Sequence, residues 1–130
     1  MVQGYLAVML IGAFGCAARM GLSLFLGEKY GETFPVGTLV VNILGCFIIG
    51  LFAAMTRPDG GLLVSPIVRQ AVMIGFLGGF TTFSSFALQT VSLFGDGEWG
   101  YATLNVLLSV VLCLLAVWGG QIIGIQLVRG

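Results

Sequence analysis

The residues of this chain that could act on another molecule are few, neutral and set at helical intervals. One stretch, Gly75-Phe76-Leu77-Gly78-Gly79-Phe80-Thr81-Thr82-Phe83-Ser84-Ser85-Phe86, places a glycine pair, a threonine pair and a serine pair inside a run without charge. Glycine costs a helix interior about 1 kcal/mol against alanine, and β-branched threonine a smaller amount. Hydroxyls also compete for backbone carbonyls. A helix crossing hydrocarbon should therefore lose a turn here. Irregular backbone survives at that depth only where it is buried in protein or lines a polar cavity. The chemistry expected of it is ion coordination by freed carbonyls, as in the broken helices of transporters. A second reading stands beside the first: Gly75 and Gly79, like Gly120 and Gly124, are spaced for close helix packing.

Other polar residues could serve the same ion. Thr38 and Asn42 are four apart and share a helix face, as do Asn105 and Ser109, with Cys113 continuing that face. Such residues point into a bundle, where they line a path or bond helix to helix. Phe80, Phe83 and Phe86 recur every three residues. They read either as core and lipid-facing packing or as ring edges, whose positive rim can face a small anion. Arg19 either snorkels to the interface or attracts anions at a vestibule.

What is missing narrows the chemistry. No histidine is present to act as a general base. Cys16, Cys46 and Cys113 each stand alone in apolar sequence, which reads as small buried hydrophobes and not as a zinc or disulfide framework. All five Asp and Glu fall in expected loops, so proton coupling through an embedded carboxylate is disfavoured. With 58% apolar and 8% charged residues, against about 25% charged in soluble domains, the chain cannot cover a soluble surface. A soluble enzyme is excluded, and five Lys and Arg balanced by five Asp and Glu leave no basic stripe for nucleic acid. The opening residues lack a basic segment, so no cleaved leader is expected.

The elements that must hold these residues follow from the charges. They divide the 130 residues into four apolar runs, approximately 3–26, 33–56, 67–95 and 99–128, each long enough to cross a hydrocarbon core of about 30 Å. The chain thus reads as one all-α integral membrane domain, residues 1–130, with four transmembrane helices and a broken third. Pro66 should open the third helix; Glu28-Lys29-Tyr30-Gly31-Glu32, Arg57-Pro58-Asp59-Gly60-Gly61 and Asp96-Gly97-Glu98 should connect the spans. Arg57, Arg69 and Arg129 fall on the side of the termini, and Arg19 and Lys29 on the other. This near balance gives topogenic rules little to act on. Insertion in both orientations and insertion with cytoplasmic termini both stand. Four helices also do not easily enclose a pore, so self-association is the natural remedy, most often as a twofold dimer.

The long third-span motif resembles the signature of the Fluc (CrcB) fluoride channels. Gly37-Thr38-Leu39-Val40-Val41-Asn42-Ile43-Leu44-Gly45 is similar to the family's second-span motif and Gly15-Cys16-Ala17-Ala18-Arg19 to its first-span motif. The resemblance covers the whole chain. It implies an antiparallel, dual-topology homodimer in the bacterial inner membrane that exports fluoride passively along two pathways. It further implies a sodium ion at the dimer centre, held here by the carbonyls of Gly78 and Thr81. Phe83 and Phe86 match the pathway phenylalanines, Asn42 the second-span asparagine, and Asn105, Ser109 and Cys113 the fourth-span polar track. Three positions depart from the usual pattern: Gln89 replaces a common Glu, Cys113 a common Ser, and Phe80 a common Leu. On this reading Asn42, Thr38 and Ser109 donate hydrogen bonds and the rings present edges, so that many weak donors replace water stepwise. The rivals are a small antiparallel multidrug exporter, which needs a membrane-embedded Glu that this chain lacks, and a structural membrane subunit, which leaves the third-span motif unexplained.

Overall fold

The computed structural model describes residues 1–59 and 61–130. Gly60, part of the connection expected at Arg57–Gly61, lies outside the described residues. Every regular element among the described residues is helical. Four stretches are long and apolar enough to cross a membrane: Val2–Tyr30, Val36–Met55, Pro66–Gly95 and Trp99–Arg129. The all-helical, four-span reading is borne out.

The first two spans are single helices, α1 (Val2–Tyr30) and α2 (Val36–Met55). Helix α1 continues through Glu28, Lys29 and Tyr30, past the expected end at Leu26 and into the segment expected to be a connection. Polar composition suggested a loop, but Glu and Lys are good helix formers, and Lys29 in the last turn complements the negative end of the helix dipole. Its ammonium also lies 5.9 Å from the Phe25 ring centre and 5.5 Å from that of Tyr30. The helix stops at Gly31, whose φ of 83° suits glycine.

The third span is a series of pieces. Helix α3 (Pro66–Gln70) opens with the Ser65 hydroxyl accepting from Val68 N at 3.3 Å and with Pro66 in its first turn. Ala71–Phe76 winds as a π-helix, closed by Leu77 N donating to the Val72 carbonyl. Helix α4 (Leu77–Phe80) follows, then two extended residues, then α5 (Phe83–Gly95). At the end of α5, Glu98 N donates to Leu93 O and Gly97 N to Phe94 O, with Gly97 at φ 79°. This is the Schellman arrangement, which satisfies the last carbonyls. Helix α6 (Trp99–Arg129) completes the chain.

Helices α2 and α6 form the most extensive contact, along a seam where backbone nearly touches backbone. A Cβ built on Gly120 would run into the Phe47 carbonyl, one on Gly50 into that of Val117, and one on Gly124 would stand 2.7 Å from Leu51 O. On the other flank, a Cβ on Gly79 would stand 2.7 Å from Gly12 O, and one on Gly75 2.9 Å from Val8 O. Both spaced glycine pairs thus serve close packing. Elsewhere α1 presents Leu10, Phe14, Met20, Leu24 and Phe25 outward, a surface compatible with lipid. The largest fully buried side chains, Val41, Leu77 and Asn105, come from α2, α4 and α6.

Candidate functional site

The site is built around the two residues at which the third span leaves the helix. Thr81 and Thr82 are extended (φ −82°, ψ 156° and φ −152°, ψ 111°), a conformation β-branched residues favour. Thr81 finishes α4 by giving both its N–H (3.0 Å) and its hydroxyl (2.9 Å) to Leu77 O. Thr82 is held from α2: Asn42 Nδ2 donates to Thr82 O at 3.0 Å, and Thr82 N donates to Asn42 Oδ1 at 2.7 Å. The Thr82 hydroxyl then caps α5, accepting from Ser85 N at 3.2 Å. It donates to Ser85 Oγ at 3.1 Å, so in its 3.2 Å contact with Ser84 Oγ it is the acceptor, and its one donor and two acceptor positions are all used. Gly45 lets these residues lie against α2, since a Cβ there would collide with the Thr81 methyl.

This bracing has an electrostatic result. In a continuous helix Thr82 N would serve Gly78 O, and Ser85 N would serve Thr81 O. Here the first goes to Asn42 and the second to the Thr82 hydroxyl. Gly78 O and Thr81 O are therefore released from their helical donors. Two neutral carbonyl oxygens suit a hard cation, but two alone do not complete its shell.

Next to the break is a cavity of about 340 Å³ whose wall includes Asn42, Thr81, Phe83, Phe86, Ser109 and Cys113. Sequence spacing placed these residues on separate helices, and the fold brings them together. The rings of Phe83 and Phe86 lie 5.2 Å apart at 53°. Phe86 is 8% exposed and Phe83 77% exposed. Among the described residues no carboxylate lines this space.

The remaining expected residues stand elsewhere. Asn105, 1% exposed, lies behind the wall, where Nδ2 donates to Thr90 Oγ1 at 3.0 Å and Oδ1 accepts from the Ser109 hydroxyl at 3.4 Å. Thr90 passes its own hydrogen to Phe86 O at 2.7 Å. Asn42 and Asn105 thus both bond span to span. Asn42 keeps one uncommitted amide hydrogen, and the long Ser109 bond leaves that hydroxyl able to turn toward the cavity. Thr38 opens onto a second cavity of about 560 Å³, shared with Ser23, Glu28, Glu32, Gln89 and Asp96. Arg19, half-buried on α1, lines neither cavity.

Two residues outside the expected ion path organise the site. Thr82 holds the break, and Thr90 links α5 to α6. Thr90→Val should leave the Asn105 amide buried without its acceptor and lower stability by about 1–3 kcal/mol, while Thr90→Ser should restore most of the loss. Thermal unfolding of the purified protein in detergent measures both, and equal midpoints for Val and wild type would remove the link.

Comparison with known proteins places the chain. Residues 6–121 match the family model described as CrcB-like protein, Camphor Resistance (CrcB). The chain belongs to the CrcB family. The resemblance seen in the motifs is thereby borne out. Among similar family members, the fluoride-specific ion channel FluC of Opitutus terrae is 55% identical over 97% of this chain and 97% of its own length. FluC of Methylocella silvestris is 46% identical (95% of this chain, 94% of its own), and FluC of Rhodospirillum rubrum 48% (91% and 92%). Every residue of the break and of the adjoining cavity lies within the matched CrcB region. In this CrcB family member the buried Oε1 of Gln89 has no hydrogen-bond partner among the described residues. A carboxylate at that point would be a buried charge without a partner, far costlier than a neutral amide.

Proposed function

We propose that this CrcB family member is a passive, fluoride-selective channel that exports fluoride across the bacterial inner membrane and relieves fluoride toxicity. The observation that carries the reading is the cavity beside the break, lined among the described residues by an amide, hydroxyls, two thiols and two phenylalanines and by no carboxylate. Fluoride is small and strongly hydrated, so its path must replace water with donors without holding it fast. The spare amide hydrogen of Asn42, the hydroxyl of Ser109 and the ring edges of Phe83 and Phe86 are such donors, with Thr38 approached through the second cavity. Asn105 and Cys113 support the wall, and Arg19 attracts anions toward the entrance.

The working unit is an antiparallel homodimer formed from chains inserted in both orientations. This accounts for two features of the single chain. Phe83 is mostly exposed although it lines the cavity, and the two carbonyls released at Gly78 and Thr81 need further oxygens. A twofold copy supplies both a cover and a second pair. Gly78 O and Thr81 O from each copy would hold a sodium ion, which supplies positive potential without a titratable side chain. Coupled drug export is the weaker reading, because an embedded carboxylate is required for it and the cavity wall offers none.

The test is fluoride efflux from liposomes carrying the purified protein, followed with a fluoride electrode under a fluoride gradient and no proton gradient. Efflux is expected from wild type and is expected to vanish in Phe83→Ile and Phe86→Ile while both variants stay dimeric. No efflux from folded wild-type protein would overturn the channel, and normal efflux in both variants would overturn the ring role.

A further inference from the structure

The cavity wall carries two thiols. Cys46 comes from α2 and Cys113 from α6, and both face the cavity beside Asn42 and Ser109. The two helices run parallel along their seam, since Phe47 meets Gly120 and Leu51 meets Gly124. Gly50 meets Val117 on the same seam. Cys46 and Cys113 each precede that pair by one helical turn, which sets them opposite one another, and their side chains are neighbours. Among the described residues both are free thiols.

Thiolates are soft ligands and select soft metals. A zinc ion wants four donors in a tetrahedron, and only two sulfurs meet here. Two sulfurs suffice for a cation that accepts linear coordination. The bilayer interior further favours a divalent ion, because two thiolates then neutralise it and no net charge remains in hydrocarbon. We propose that Cys46 and Cys113 together form a binding site for a soft divalent cation, with mercuric ion as its probe, on the wall of the cavity. On binding, each thiol loses its proton, two sulfur–metal bonds form, two protons leave for solvent, and no electron is transferred.

The remaining thiol, Cys16, is exposed on α1, so the experiment uses full-length C16S protein in detergent. It is given one equivalent of mercuric ion, then an equimolar monothiol competitor, and bound metal and free thiols are counted. The expected result is one metal retained per chain with two thiols lost. C46A or C113A in the same background should reduce retention about tenfold or more, because the second sulfur no longer acts at high effective concentration. Loss of only one thiol per metal would overturn the site, as would undiminished retention in either variant. The thiol count needs no substitution at Cys46 or Cys113, so it decides the matter even if those variants fold poorly.

Discussion

Truncating Asn42 to Ala is expected to lower unfolding stability by about 2–6 kcal/mol and to abolish fluoride efflux. One side chain satisfies both backbone groups of Thr82, and Thr82 is only 7% exposed. Removing it strands a donor and an acceptor together, at about 1–3 kcal/mol each. Asn42→Asp separates the two bonds. It keeps an acceptor for Thr82 N but offers no donor to Thr82 O, and it brings a charge to the cavity wall. Its efflux should be as poor as that of the Ala variant. Thermal unfolding in detergent and liposome efflux read the two effects independently. A stability change in Asn42→Ala below about 0.5 kcal/mol would show that the break does not depend on this bracing.

The second large effect belongs to the α2–α6 seam. Gly120→Val should force the two helices apart, because even the first added carbon would run into the Phe47 carbonyl and would stand 2.8 Å from Leu51 N. Backbone cannot yield as a flexible side chain can, so the cost should reach about 3 kcal/mol or more. Gly119 provides the control: a Cβ there meets nothing within 4 Å. Gly119→Ala should be neutral or raise stability by up to about 1 kcal/mol through helix propensity. Size-exclusion profiles and unfolding midpoints of the two variants should diverge sharply, and matching behaviour would refute the seam.

These two sites mark what the sequence could and could not reveal. The spans were legible because the chain has only ten charges in 130 residues and most of them fall between long apolar runs. The polar faces were legible because four-residue spacing is a property of any helix. Partners were not. Nothing near Asn42 in sequence points to Thr82, since the pairing exists only once α2 and the third span lie side by side. Thr90 was hidden differently: it is a solitary threonine, and its link to Asn105 appears only when α5 packs on α6. Helix α1 runs past its expected end because Glu28 and Lys29 are good helix formers as well as polar. The glycine pairs admitted two readings because spacing specifies a face without specifying what covers it.

The bracing of Thr82 also bears on how the protein is made. Asn42 precedes Thr82 by 40 residues, so α2 leaves the ribosome before the residue it must hold. When the third span enters the bilayer, the amide that receives its exposed backbone is already there. A reversed chain order would oblige a newly inserted span to wait in lipid with an unpaired N–H and carbonyl. The order of synthesis therefore lets the irregular segment meet its partner as soon as it enters the bilayer.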